Sequence, residues 1–413
     1  MALAGGFLRE QSFSSEKKYP MTLIYCKDCF MVQILEKIDP IEMFNDYFYF
    51  SSAINTLTEH FTEYATEIKE KFKLSEKSKV LEFGCNDGVL LKPLSKTGIG
   101  KVIGVDPAIN VINTIDNENI DLFPGFFDEK MSEAVKKEYG ELDVIMANNV
   151  FAHIVDINST TRGVKNLLSK DGVFVFEVHY LGNVISDLQY DMIYHEHIYY
   201  YSLVSAIEHF KRYEMTIFDI KQIPIHGGSF RFYVTHTESS LASDISSSVK
   251  EILKKETSAG YKEEDIYKDF AQSIYKLRDD LNTLIKDLKN QGKKIYGYGA
   301  SGRANTVLQF CNIDSSLIEF IIDDAPAKQG YFTPGSHIEI TTPDILLGEE
   351  KPDYILLFAW TFENEIRKRN KDFFNNGGKI ILPLPEIKIL DWGFNDMKVM
   401  TIFGTRPEMI KMW

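Results

Sequence analysis

Tyr194-His195-Glu196-His197 puts a phenol, two imidazoles and a carboxylate into four consecutive positions, within the tyrosine-rich run Tyr190 to Tyr201. An imidazole takes up a proton near neutral pH, a neighbouring carboxylate can orient it, and a phenol can donate a hydrogen bond to a developing oxyanion. A metal held by His-Glu-His and a pair of histidines satisfied in a core remain open as alternatives. The spacing is not the His-Glu-x-x-His that places both imidazoles on one helix face. Acid/base chemistry is the reading that uses all four side chains.

A second constellation lies in Lys79 to Pro107, which reads as strand, glycine-rich turn, helix, strand. The apolar run Val80, Leu81, Phe83 is broken by Gly84, Asn86, Asp87 and Gly88, and a helix (Val89 to Ser95) and the strand Lys101 to Val105, closing on Asp106, follow. Glycines let backbone approach a ligand closely, and an acid ending the second strand can take both hydroxyls of a ribose. The pattern Glu82-Phe-Gly84-Cys-Asn86-Asp87-Gly88 lacks the G-x-G-x-x-G triplet that seats a pyrophosphate on a helix N-terminus. An acid opening a Gly-x-x-x-Gly turn suits a ligand carrying an ammonium and a sulfonium, which favours S-adenosylmethionine over a dinucleotide.

The elements that position these residues alternate as strand and helix. Ile41 to Lys73 is expected to be helical, with apolar residues at helical spacing (Ile54, Leu57, Phe61, Tyr64, Ile68, Phe72) and aromatics at its start (Phe44, Tyr47 to Phe50) that read as core. Asp143 to Ala147 is a buried strand followed by Asn148 to His153; Thr160 to Leu168 is helical; Val173 to Val178 is a strand ending on His179. Met215 to Ile223 and Ser229 to His236 are joined so briefly, through Pro224 to Gly228, that they must pair antiparallel. Ligands of such sheets lie outside the carboxyl ends of the strands, the edge where His153 and His179 fall. Leu241 to Gln291 is expected to be connecting helix, with the stripe Phe270, Ile274, Leu277, Leu281, Leu284, Leu288.

A second α/β unit begins at Lys293. Its strand Lys294 to Tyr298 runs into Gly297-Tyr-Gly299-Ala-Ser301-Gly302-Arg303-Ala-Asn305, and the strand Ile318 to Ile322 ends on Asp323-Asp324. This does match G-x-G-x-x-G with an acid about twenty residues on, the signature of a dinucleotide, although an amide-lined turn equally holds the phosphates of a nucleotide sugar. Tyr354 to Ala359 and Lys379 to Leu382 are further buried strands.

At 413 residues, 44% of them hydrophobic, two or three domains with sizeable cores are expected. The net charge of −14 and pI near 5.2 argue against nucleic acid or an anionic membrane as partner. No apolar run approaches the ~20 residues that span a bilayer, and no signal-like segment opens the chain; a cytoplasmic protein, monomeric or weakly oligomeric, is expected. Four cysteines make no disulfide framework in so long a chain. Cys26-Lys-Asp-Cys29 forms a knuckle that can present two thiolates to one zinc ion, where a closed tetrahedral site needs four ligands.

Taken together, these motifs resemble the nucleotide-sugar C-methyltransferases, which add a methyl at C3 of TDP-4-keto-deoxysugars. The likeness runs from Tyr19-Pro20 and the Cys26/Cys29 knuckle through Glu82 to Gly88, Gly104 to Pro107, Asn148 to His153, Phe176 to His179, Tyr194 to His197 and Gly227-Gly228-Ser229 to Gly297 to Thr306. It implies an α/β chain with a class I methyltransferase (Rossmann-like) core. The expected parts are a partial zinc-binding segment (1–40), the core (41–240), connecting helices (241–291) and a second Rossmann-like domain holding the sugar nucleotide (292–396). The resemblance implies that Glu82, Gly84, Asn86, Gly88, Asp106 and Asn148 bind S-adenosylmethionine, and that His226, Ser229, Gly299, Ser301, Arg303 and Asn305 contact the nucleotide-sugar substrate. His197 is then the base that removes the C3 proton, Glu196 holds its imidazole, and Tyr194 and His179 face the oxyanion. Zinc at Cys26 and Cys29 is in question: the family uses four cysteines, and this chain opens at Met1-Ala-Leu-Ala-Gly-Gly-Phe, about where the segment after the first pair would lie, as if started at an internal methionine. The tail Met397 to Trp413 looks like the opening of a UDP-N-acetylglucosamine 2-epimerase and reads as a junction with a neighbouring gene. The rival expectations are an NAD-dependent oxidoreductase of nucleotide sugars working at Gly297 to Gly302, and a non-catalytic scaffold.

Overall fold

The computed structural model describes residues 1–44, 51–53, 55–225 and 227–391. The expectations for Tyr47 to Phe50, Ile54, His226 and the tail Met397 to Trp413 lie outside them. Among the described residues the strands, in chain order, are β1 (Leu23–Tyr25), β2 (Val32–Ile34), β3 (Lys79–Phe83), β4 (Lys101–Asp106), β5 (Ile120–Pro124), β6 (Leu142–Asn148), β7 (Leu168–His179), β8 (Tyr199–Tyr200), β9 (Met215–Ile223), β10 (Ser229–His236), β11 (Ile295–Tyr298), β12 (Phe320–Ile322), β13 (Glu339–Thr341), β14 (Tyr354–Leu357), β15 (Lys379–Leu382) and β16 (Lys388–Leu390).

They form three sheets. The central one has the order β5-β4-β3-β6-β7-β10-β9, with β3 to β7 parallel and β10 inserted antiparallel between β7 and β9. Its two faces are apolar in alternation. Leu81, Phe83, Phe174, Phe176, Phe230 and Phe232 pack on one side; Val80, Val144, Val173, Val175 and Tyr233 pack on the other, beneath Leu57, Phe61, Tyr64 and Ile68 of the helix Asn55–Lys71. Period-two alternation thereby puts Glu82, Glu177 and Arg231 on the face that this helix covers.

The second sheet is parallel except for its last strand, in the order β13-β12-β11-β14-β15-β16. The connecting region is two helices, Ser247–Ser258 and Asp265–Asn290, and the longer one buries Phe270, Leu277, Leu281, Ile285 and Leu288. The third sheet, β1-β2-β8, ties the amino-terminal hairpin to the segment after the His-Glu-His run, pairing Val32 with Tyr200 and Gln33 with Tyr199. Element limits differ from expectation where caps act locally: the helix expected from Thr160 is Ile157–Leu167, because the Asp156 side chain accepts from the Ser159 amide at 3.0 Å and starts it earlier.

Candidate active site

At the carboxyl end of β3 the chain turns through Gly84 (φ 66°), Asn86 (φ 50°) and Gly88 (φ 75°). A Cβ on Gly84 would stand 2.6 Å from the Val150 side chain, so both its conformation and its surroundings require glycine there. The amides of Gly84 and Cys85 donate to the Val105 carbonyl at 2.8 and 3.3 Å, which hangs the bend on β4. Asp106, at the end of β4, fixes the bend from the other side. Its carboxylate accepts from the Asn86 amide and the Ala108 amide, both at 2.8 Å, and each oxygen keeps a second acceptor position for a ligand hydroxyl.

Glu82 lies buried below the bend, where its Oε1 accepts from Asn148 Nδ2 at 2.9 Å. Burial, opposed by the Asn148 bond and reinforced by the charges of Asp106, Glu177 and Asp87, pushes its carboxyl up to about 8. Four buried oxygens at this edge have no hydrogen-bond donor among the described residues: Glu82 Oε2, Asp87 Oδ1, Asn148 Oδ1 and Asn149 Oδ1. Acceptors buried without partners call for donors and positive charge. The ammonium, sulfonium and ribose hydroxyls of S-adenosylmethionine supply both, so the residues present fit that cofactor.

On the same edge, three elements hold the Tyr194 to Tyr201 segment. The Ile198 and Tyr199 amides donate to Ala152 O at 2.9 and 3.1 Å, the Ile34 amide of β2 donates to Ile198 O at 2.9 Å, and the Leu181 amide to Tyr201 O at 2.8 Å. His197 is buried, with Nδ1 2.8 Å from the Met192 carbonyl and Nε2 3.0 Å from the Tyr194 hydroxyl. A carbonyl only accepts, so Nδ1 carries a proton, and in the neutral form of the ring the Nε2 lone pair faces Tyr194. His153 meets the ring edge-on at 4.9 Å between centroids, and His179 lies at 5.2 Å. Burial lowers His153 to about 4, so it stays neutral.

The geometry corrects one expected role. The imidazole is held by the Met192 carbonyl, taking the place assigned to Glu196, because the backbone turns back at Met192 within reach of Nδ1. Glu196 instead faces the amino-terminal segment, its Oε1 3.2 Å from where a Cβ on Gly5 would stand, and burial raises its carboxyl to about 7. His195, also buried, bonds the Pro20 carbonyl at 3.0 Å.

One cluster was missed in the sequence. Arg231 Nε donates to Glu177 Oε1 at 2.6 Å, His60 Nε2 lies 3.0 Å from Glu177 Oε2, and Arg231 Nη1 is 3.0 Å from Glu67. The guanidinium stacks on the Tyr64 ring at 3.3 Å. Burial works to raise the Glu177 carboxyl, but the His60 bond and the Arg231 charge prevail and hold it below the ordinary range. The signal was available: Phe-Glu177-Val and Phe-Arg231-Phe place opposite charges inside two apolar strands that pair residue to residue.

The expected substrate residues of the second sheet have local partners. Ser301 caps the helix Gly302–Phe310, accepting from the Ala304 amide at 3.2 Å, and Gly299 turns with φ 95°. Arg303 pairs with Asp191 through Nε and Nη2, both at 2.7 Å, and Asn305 Nδ2 donates to the Ala4 carbonyl at 2.5 Å. The Asn305 Oδ1 is buried without a partner among the described residues. Asp323, the acid that a dinucleotide reading gives to a ribose, accepts from the Ala300 amide at 2.7 Å and the Ala325 amide at 2.8 Å. Ser229 is buried beside His179 in the β7–β10 register, its hydroxyl 3.3 Å from the Ile225 carbonyl.

In the knuckle, Phe30 adopts φ 59° and its amide donates to the Cys26 carbonyl at 2.8 Å. Burial opposes ionisation of Cys26, but the Cys29 and Asp28 amides draw its thiol below the usual value; burial raises Cys29. Among the described residues no group of three or more His, Cys, Asp or Glu side chains is placed to hold a metal. Two thiols fall short of the four donors of a closed zinc site.

Strand order, the glycine bend and the buried acceptors beside it define a class I S-adenosylmethionine-dependent methyltransferase. Residues 57–218 match the family model for a methyltransferase domain, residues 224–385 that for a C-methyltransferase C-terminal domain, and residues 1–44 that for a putative zinc binding domain. The chain is 31% identical to C-methyltransferase NovU of Streptomyces niveus over 94% of its own length and 92% of the relative's. It belongs to the C-methyltransferase family. It is also 29% identical to the mitochondrial ubiquinone biosynthesis O-methyltransferase of Bos taurus, over 23% of this chain and 26% of that one. The magnesium protoporphyrin IX methyltransferase of Synechocystis PCC 6803 superposes with a TM-score of 0.34 at 11% identity, covering 43% of this chain and 82% of that chain. No helix among the described residues is long and apolar enough to cross a membrane.

Proposed function

We propose that the methyl acceptor is C3 of a nucleotide-linked 4-keto-deoxysugar, with 41–240 as the catalytic unit and 292–396 holding the sugar nucleotide. The observation that carries this reading is the His197 ring, its proton confined to Nδ1 and its Nε2 lone pair directed at a phenol on the sheet edge where Glu82 and Asn148 lie. A ketone at C4 acidifies the C3 proton, and a positioned base with an oxyanion donor makes its removal accessible near neutral pH. As substrate enters, the Tyr194 hydroxyl turns from Nε2 to the C4 oxygen. His197 Nε2 takes the C3 proton, the C–H electrons delocalise onto that oxygen, and Tyr194 and His179 stabilise the charge. S-adenosylmethionine, when bound, supplies an electrophilic methyl. The enolate's electron pair forms the new C3–CH₃ bond while the S–CH₃ bonding pair stays with sulfur. Glu82, Asn148 and Asp106 orient the donor, and holding both reactants at one edge supplies much of the rate.

Mass spectrometry after incubation with S-adenosylmethionine and a panel of 4-keto sugar nucleotides tests this reading. One added methyl on carbon, with C3 assigned by NMR, is the expected result; no methylation of any panel member, or methylation on oxygen, overturns it. Titration with NAD tests the oxidoreductase reading, in which Asp323, held by two backbone amides as Asp106 is, would take the ribose; no NAD binding removes it.

A further inference from the structure

Asp191 is a fully buried carboxylate six residues before His197, one position before the carbonyl that holds the imidazole. Its Oδ2 receives Arg303 Nε at 2.7 Å and Trp360 Nε1 at 3.0 Å, both from the second sheet's domain. The guanidinium also lies over the Trp360 ring at 5.0 Å, so the three side chains form one block.

From this block we propose that the carboxy-terminal domain positions the catalytic base: Arg303 and Trp360 clamp Asp191, and the clamp fixes the turn whose Met192 carbonyl selects the Nδ1–H tautomer of His197. Arg303, Trp360 and Asp191 are positioning residues that act through Met192. The proposal rests on the reading of His197 as the base.

The connection is short and stiff. Asp191 is the middle residue of the single 3₁₀ turn Tyr190–Met192, and the Ile193 amide closes that turn onto Tyr190 O at 3.0 Å. The Met192 carbonyl points back at His197, with the Tyr200 hydroxyl 3.4 Å away as a second donor. A rotation at Asp191 therefore moves the carbonyl off Nδ1, and the ring proton is then free to settle on Nε2, where it blocks the lone pair needed for C3. A carboxylate buried this completely persists only when paired, so its orientation follows its partners. The same block explains why the base sits on a segment without long secondary structure of its own: the rigidity comes from the neighbouring domain.

The test compares Trp360→Phe, which removes one donor and keeps the ring, Asp191→Asn, which keeps the shape and removes the charge, and Arg303→Lys. His197→Gln is measured alongside. We expect kcat per folded molecule to fall about ten- to hundredfold in Trp360→Phe and Asp191→Asn, with KM for both substrates within about threefold of the parent. Nitrogen-15 spectra of histidine-labelled protein, assigned with His197→Gln, should show His197 passing from the Nδ1–H form to a mixture. Unchanged kcat with the Nδ1–H signal intact in both variants overturns the proposal. So does a rise in KM alone in Arg303→Lys, which would make Arg303 a substrate contact. If His197→Gln itself turns over, the base assignment fails; if it is inactive while Trp360→Phe and Asp191→Asn work normally, only the positioning role fails.

Discussion

The Tyr194 hydroxyl stands 3.0 Å from Nε2 of His197, and the two rings lie 4.1 Å apart between centroids. On the proposed mechanism the phenol does two jobs in turn: without substrate it occupies the lone pair of the base, and with substrate it follows the charge to the C4 oxygen. Removing the hydroxyl leaves the base intact and deprives the oxyanion of a donor, whereas replacing the imidazole removes proton transfer itself.

His197→Gln is accordingly expected to lower kcat by about 10²- to 10⁴-fold, the range for loss of a general base. Tyr194→Phe should cost about 10²- to 10³-fold, the range for an oxyanion donor. Both should bind S-adenosylmethionine with the parent affinity, as read by calorimetry. In deuterated buffer without donor, the parent should wash deuterium into C3 of the sugar and His197→Gln should not. Turnover within a few-fold of the parent in both variants would remove this assignment.

Glu82 is expected to make donor binding pH-dependent. Its folded carboxyl titrates at about 8 against an ordinary 4.5, because of burial and the nearby charges of Asp106, Glu177 and Asp87. Below 4.5 both folded and unfolded states hold the proton and the group contributes nothing. Between 4.5 and 8 only the folded state holds it, so stability without donor falls as pH rises and levels off above 8. A cationic ligand favours the ionised form, so binding releases the proton and affinity climbs over the same window. Glu82→Gln should flatten both profiles. Calorimetry in buffers of differing ionisation enthalpy checks the released proton, and an equal pH slope in parent and variant would contradict the account.

Gly84→Ala should abolish donor binding at otherwise modest cost to the fold. The new Cβ meets Val150 at 2.6 Å in a backbone region, φ 66°, that alanine rarely adopts, so the bend must open where the donor is proposed to bind. The measurement is the S-adenosylmethionine dissociation constant beside the far-ultraviolet spectrum; parent affinity would show that the bend does not touch the donor.

The legible parts of the fold were those whose chemistry is local. The bend Gly84 to Gly88 announces itself because glycines and an acid fall in one turn, and the β9–β10 hairpin because its link is too short for anything else. Both appear as expected. The strands not anticipated, β5, β13 and β16, are all sheet edges, where one side is unpaired and the residues need not read as an apolar run. β8 is two tyrosines that become a strand only by meeting Val32 and Gln33 from the far end of the chain, a pairing no local pattern encodes. The same holds for the site. Tyr194 and His197 sit three apart and were found; the Met192 carbonyl was not, since backbone carries no residue signature, and Glu196 was preferred only because it is adjacent in sequence. Arg303 and Asn305 stand in a turn that advertises phosphate binding, yet their partners, Asp191 and Ala4, come from other parts of the chain.

Arg231 supplies the last prediction. Its guanidinium is buried against Glu177, with His60 bonding the other carboxylate oxygen, and this joins β7 and β10 to the helix Asn55–Lys71. Arg231→Met leaves Glu177 buried with only His60 to compensate it. Breaking one side of such a pair costs about 3–5 kcal/mol, a fall in the thermal midpoint on the order of ten degrees for a domain of this size. The double variant Arg231→Met with Glu177→Leu removes both charges and should recover much of that loss, since the two sites are in contact and their effects do not add. The consequence reaches the donor site through the chain: immediately before this helix, the Ser51 amide donates to Asn86 Oδ1 at 2.9 Å and the Ser52 amide to Asp87 Oδ2 at 3.2 Å. A helix released from Glu177 loosens its grip on the bend, so Arg231→Met should also weaken S-adenosylmethionine binding. Differential scanning calorimetry with and without donor measures both effects; a midpoint within two or three degrees of the parent would mean that the ion pair holds neither helix nor bend.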